Sequence, residues 1–94
     1  METSKAVQVF GALAQHNRLR AIELLHAAGS EGVAAGDLAK MLGIPHNTFS
    51  VHAKTLEAAS LVFSERRSRS IIYRLNADAL SEIGELITSF QTSR

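Results

Sequence analysis

Asn47, Ser50 and Lys54 recur at three- and four-residue steps in GIPHNTFSVHAKTLEAASLV, residues 43–62. These side chains can do one kind of chemistry together. An amide and a hydroxyl pair with base edges in the major groove of DNA, and an ammonium reaches a phosphate or a guanine. Stepping about 100° per residue from Phe49 keeps Ala53 and Leu56 on one side. Asn47, Val51, Lys54 and Ala58 emerge opposite, with Ser50 on the flank. His46 falls in the first turn, where helices that read DNA touch bases, and Thr48 lies beside it. The plain alternative for this face is ordinary solvation. The candidate contacts are His46, Asn47, Thr48, Ser50, Val51 and Lys54.

A second cluster is Arg66, Arg67 and Arg69, at the tip between the β-favouring runs LVFSE and SIIYRL. Arginines on such a tip grip phosphates or enter a minor groove; the alternative is that they keep an exposed loop solvated. His52 lies at the edge of the buried face of its helix, where a packed, hydrogen-bonded role outweighs a phosphate contact. His16, His26, His46 and His52 include no pair at i, i+3 or i, i+4, so no metal site is expected. The chain has no cysteine, which removes thiolate ligands, disulfides and cysteine nucleophiles. It also lacks a nucleophile motif and a phosphate-cradling glycine loop, so an enzyme is not expected, nor a cofactor.

The elements that must position these residues follow from periodicity. SKAVQVFGALAQ (4–15) is a first helix, apolar nearly all round through Val7, Val9, Phe10, Leu13 and Ala14. So wide a belt implies burial on two sides, by the domain and by a second subunit. HNRLRAIELLHAAG (16–29) is a second helix, with Asn17 as N-cap, Leu19, Ile22 and Leu25 inward and Gly29 as terminator. AAGDLAKMLG (34–43) is a third, with Leu38, Ala39 and Leu42 inward. A fourth runs from about 46 to 59. Two short helices joined across Gly43 make a helix-turn-helix. The period then shifts to a hairpin, in which Ile71, Tyr73 and Leu75 point one way and Ile72 and Arg74 the other. ADALSEIGELITSF closes the pattern as an amphipathic helix with Leu80, Ile83, Leu86, Ile87 and Phe90 in its stripe, and Asp78 in its first turn.

Composition bounds the rest. Ninety-four residues, 46% hydrophobic and 20% charged, fit a single folded domain, 1–94. The net charge is only +1, but it is polarised: Lys54, Arg66, Arg67, Arg69 and Arg74 stand against Glu57 and Glu65 in one stretch. No apolar run approaches the roughly 20 residues of a bilayer span. The start METSKAVQVF has no basic-then-apolar signal layout, so a cytoplasmic location is expected.

HNRLRAIELL, AAGDLAKMLGIPHNTFSVHAKTLEAASLV and RSRSIIYRLN, taken together, resemble the ArsR/SmtB winged-helix repressors of bacteria, over roughly residues 5–90. The resemblance implies a mainly α fold with a β-hairpin wing, a winged helix-turn-helix that dimerises through its first and last helices. Val7, Phe10, Leu13, Leu80, Ile83, Ile87 and Phe90 are the candidate dimer interface. It maps base contacts onto His46, Asn47, Ser50 and Val51, and wing contacts onto Arg67 and Arg69. It implies a homodimeric repressor on an inverted-repeat DNA operator, released by an effector. A winged-helix module that docks a protein instead is the rival reading, and it would want a more apolar outward face than Val51 and Ala58 supply.

The chain departs from that pattern at several points. Val51 stands where a polar residue is frequent, and Ala53 where leucine is usual. Ser60 and Ser68 stand where glycine is common, which makes a positive φ less favourable. The sensor positions differ more. EGVAAGD carries no cysteine, no histidine follows Asp78, and ITSFQTSR holds no thiol. A substituted or truncated sensor, a non-thiol organic signal and the lack of any effector remain as alternatives, with a non-metal signal favoured.

Overall fold

A computed structural model describes residues 1–91; positions 92–94, at the end of the expected 1–94 domain and of the stretch ITSFQTSR, lie outside the described residues. The elements follow in the order α1 (Thr3–Leu13), α2 (His16–Ala28), β1 (Val33–Ala34), α3 (Ala35–Leu42), α4 (His46–Ala58), β2 (Val62–Arg67), β3 (Ser70–Leu75) and α5 (Ala77–Gln91). One 3-10 turn, Gly29–Glu31, leads from α2 to β1. The architecture is a winged helix-turn-helix. No described helix is long and apolar enough to cross a membrane.

Helix starts and stops are set by local chemistry. Glu2 accepts the Lys5 amide at 2.8 Å and opens α1. Gln15, rather than the expected Asn17, caps α2, its side chain accepting the Arg18 amide at 3.0 Å. The helix begins at His16, so Asn17 is already inside the first turn. Gly29 ends α2 as expected, at φ 70°. Gly43 ends α3 in the left-handed conformation, and the next amide, of Ile44, returns to the Ala39 carbonyl at 3.1 Å. That closed turn sets the angle between α3 and α4.

The core gathers Val9, Leu25, Leu38, Phe49, Leu56 and Leu61, all fully buried, from α1, α2, α3, α4 and the turn after α4. On α2 the buried residues are Ala21, Ile22 and Leu25, and Leu19 is 47% exposed. Its expected inward place was wrong for a geometric reason. The face is centred between Ile22 and Leu25 with Ala21 beside it, which leaves Leu19 about 110° from the middle.

The sheet is antiparallel with order β1-β3-β2, so β3 is hydrogen-bonded on both edges. β1 pairs Val33 with Tyr73 and Ala34 with Ile72, and it was not foreseen, because two residues cannot display alternation. Gly32, at φ 74°, leads the chain into that pairing. β2 and β3 pair from Val62–Leu75 to Arg67–Ser70, leaving a two-residue turn of Ser68 and Arg69. Arg66 and Arg67, expected at the tip, therefore belong to β2. Ser60 and Ser68 both take positive φ, 61° and 58°, as the turns at the end of α4 and at the wing tip demand.

Alternation divides β2 into two faces. Val62 is buried in the core, and the Ser64 hydroxyl donates to Glu57 on α4 at 2.7 Å, so Val62, Ser64 and Arg66 face the helices. Phe63, Glu65 and Arg67 face away, with Glu65 bonded to both Arg67 and Arg74 on that outer side.

Candidate nucleic-acid interface

The outward face of α4 is presented by a tightly held inward one. Phe49, Ala53 and Leu56 are each 1% exposed. The Phe49 ring meets Tyr73 of β3 edge-on, with centroids 5.9 Å apart and planes at 85°. Burial, with the charge of Glu57 assisting, raises the Tyr73 phenol above its usual value, so it stays neutral. Opposite, His46, Asn47, Thr48, Val51 and Lys54 are all exposed. Val51 is 65% exposed, an apolar spot suited to a thymine methyl.

Ser50 is half-buried, and its hydroxyl donates to the His46 carbonyl one turn back at 3.1 Å. It can offer a base only its lone pairs. Pro45 precedes α4 and no side chain among the described residues caps the helix, so the amides of its first turn can donate to an anion.

The wing completes the surface on one side only. A groove of about 380 Å³ runs between the start of α3 at Ala35 and Gly36, His46 at the start of α4, and Arg66 and Arg69 of the wing. Arg66, Arg69 and Lys54 have no ion-pair partner among the described residues. Arg67 lies on the far face, bonded to Glu65 at 3.3 Å. Of the three arginines singled out in the sequence, two thus join His46 and one does not. The parity that separates them depends on where the strand ends, which composition does not reveal.

His52 turns inward to the helices. Its Nδ1 lies 3.2 Å from Nη1 of Arg18. A guanidinium only donates, so Nδ1 accepts and the ring proton sits on Nε2. The Nε of Arg18 donates to the Ala12 carbonyl at 2.7 Å and its Nη2 to Gly11 at 3.5 Å, at the C-terminal end of α1. One arginine thereby neutralises the end of α1 and fastens it to α4. At the C-terminal end of α4, Gln8 donates to the Ala58 carbonyl at 3.0 Å and Lys5 to Ser60 at 3.2 Å. The first helix is thus linked to the middle of the recognition helix and to its C-terminal end. Arg18 was not identified from the sequence; its signal was a cation in the first turn of α2, where the helix dipole disfavours one.

Burial first, and the Arg18 charge second, hold the His52 pKa below the ordinary histidine value. The unfolded chain therefore takes up this proton before the folded one does. The contribution of His52 is fully present above the unfolded value of about 6.5 and is lost as pH falls toward the lower folded value. Urea midpoints are expected to decline between about pH 7.5 and 5.5, and to decline less in His52→Gln. An equal decline in both proteins would remove His52 from the account.

The four histidines lie two on α2 and two on α4, and no group of three His, Asp or Glu gathers around a metal-sized site among the described residues.

No protein-family model matches the chain. It is 34% identical over 71 residues to the uncharacterized HTH-type transcriptional regulator YceK of Bacillus subtilis strain 168, across 76% of this chain and 70% of that protein. An ArsR-like transcriptional regulator from Rhodococcus sp. RHA1 shares the fold with a TM-score of 0.79 and 25% identity, covering 94% of this chain and 80% of its own. The homodimeric winged helix-turn-helix DNA-binding domain Mb0332 of Mycobacterium bovis matches at a TM-score of 0.75 and 25% identity, again over 94% and 80%.

Proposed function

Because the chain belongs to the ArsR family of winged helix-turn-helix transcriptional regulators, which are not enzymes, we propose that it represses transcription by occupying an inverted-repeat operator as a homodimer, and that a signal releases it. The observation that carries this reading is the convergence of His46, Arg66 and Arg69 on one groove beside the exposed polar face of α4. Asn47, Thr48 and Ser50 read base edges, and Val51 meets a thymine methyl. Lys54, Arg66 and Arg69 bind phosphates and supply salt-dependent affinity, while His46 contacts a base from the first turn of α4. Arg67, turned to the outer face and held by Glu65, contributes less.

The dimer in this proposal uses the faces of α1 and α5 that the chain leaves open. Val7 is 63% exposed, Phe10 40%, Ile87 43% and Phe90 69%. Leu13 and Leu80 are half-buried at the margin of that surface, and Ile83 lies within the chain's own core. α5 buries only Ala79 and Ile83, a small share of a 15-residue helix with so apolar a stripe. The homodimeric state of Mb0332 supports a second copy as the cover. The chain works as one domain in the cytoplasm, with its two recognition helices entering successive major grooves about 34–36 Å apart.

A gel-shift titration on the DNA upstream of its own gene, at two salt concentrations, tests the interface. Arg66→Ala is expected to weaken binding to all sequences and to flatten the salt slope by about one unit per subunit. Arg67→Ala is expected to change the slope much less. A larger effect from Arg67, or no shift at all from a folded dimer at low salt, would overturn the assignment.

A further inference from the structure

We propose that the hollow between α2, the outer face of the wing and the start of α5 is an effector site for a small amphipathic carboxylate, whose binding lowers affinity for DNA; this rests on the DNA-binding reading above. The hollow measures about 420 Å³, within the range of small-molecule sites. Leu25, Phe63 and Leu75 form its apolar walls, and His26 and Arg74 supply the polar groups. Phe63 is 58% exposed, a phenyl ring outside the core and directly across the ladder from Arg74. An aromatic ring or short alkyl chain fits against it.

Charge selects the acid. Arg74 is held in position, its Nε donating to the Ser30 carbonyl at 2.9 Å and its Nη1 to Glu65 at 2.6 Å. Among the described residues its second terminal nitrogen has no hydrogen-bond partner, so it can donate to a ligand. Arg67 and Arg74 share the one carboxylate of Glu65, which leaves this outer face with an excess positive charge. A preset guanidinium beside an apolar wall suits a carboxylate with an apolar body.

The position of the hollow gives a route to the DNA face. Leu75 and Ala77 line it, and they flank Asn76. The Asn76 amide donates to the Leu61 carbonyl at 2.9 Å, and its side chain donates to the Ser60 carbonyl at 2.8 Å. Ser60 and Leu61 lie two and three residues beyond the end of α4, and Ala77 is the first residue of α5. A ligand pressing on Leu75 and Ala77 therefore acts on the end of the recognition helix and on the root of the dimer helix together.

The test uses 2-naphthoate, with 2-naphthamide as its uncharged counterpart. In NMR titrations of the full chain, naphthoate is expected to give saturable amide shifts grouped at residues 25–30, Phe63 and 74–77. The amide should bind at least about tenfold more weakly, a difference of roughly 1.4 kcal/mol. Phe63→Ser, a surface change that spares the core, should abolish the response, and Arg74→Gln should erase the preference for the acid. In gel shifts, saturating naphthoate should weaken DNA binding by about fivefold or more, and DNA should weaken naphthoate by the same factor. No saturable shift up to about 10 mM, shifts confined to α1 and α5, or equal binding of acid and amide would overturn the site. Naphthoate bound with no change in DNA affinity would overturn its effector role. DNA shifted normally with no naphthoate response overturns this proposal alone. No DNA shift without naphthoate overturns the DNA reading, and the effector role with it.

Discussion

Gly32→Ala is expected to lose about 3–5 kcal/mol of stability, because two separate penalties of up to about 3 kcal/mol each fall on one methyl group. The first is conformational. Gly32 sits at φ 74° and ψ −172°, a region open essentially to glycine alone. The second is steric: an added Cβ would collide with the Tyr73 carbonyl and lie 2.8 Å from Cγ of Arg74 and 3.0 Å from Cγ2 of Ile72. The carbonyl belongs to the central strand and cannot move without disturbing both ladders. Gly29→Ala separates the two terms. Gly29 has a similar backbone, φ 70° and ψ −150°, yet a Cβ there meets nothing within 4 Å. It should lose only the conformational part, about 1–3 kcal/mol. Urea unfolding of both variants measures the difference, and equal losses would refute the collision with β3. Small domains hold only about 5–15 kcal/mol in total, so Gly32→Ala should also lower the yield of folded protein.

Ile87→Glu is expected to leave the fold intact and abolish the dimer. Ile87 is 43% exposed on its own chain, so the glutamate is solvated in the monomer. At the proposed interface it would be buried without a partner, an arrangement that disfavours association by several kcal/mol. Sedimentation should show a monomer with unchanged circular dichroism. Affinity for a two-half-site operator should fall about 10²- to 10⁴-fold, the gain that linking two modest sites provides, while binding to a single half-site barely changes. A variant that remains dimeric would place the subunit contact elsewhere.

What could be read from the residues, and what could not, follows physical lines. The inward face of α4 was legible because Phe49, Ala53 and Leu56 obey helical spacing and a buried face is selected for shape. The helix-turn-helix was legible because Gly43 marks its turn. Signals carried by one or two residues were not legible. β1 is too short to alternate, and its place is set by Gly32 and by β3, which lies 40 residues further on. The α2 cap moved from Asn17 to Gln15 because the start of a helix depends on how it meets α1. At the candidate site, the residue types were legible and their facing was not. Arg66 and Arg67 are alike in composition, and only the register of the ladder shows that one stands beside His46 and the other beside Glu65.

That register also restricts how the wing can vary among descendants of this sequence. With two residues in the turn and strict alternation on either side, inserting or deleting one residue in β2 would exchange its faces beyond that point. With the change placed ahead of Glu65, Arg66 would leave the groove, and Arg67 would enter it together with Glu65, its acidic companion. Insertions of two preserve the parity, and merely lengthen the reach of the arm. Relatives that keep the same DNA face should therefore differ in wing length by even steps, and an odd step should be accompanied by a bulge that restores the phase.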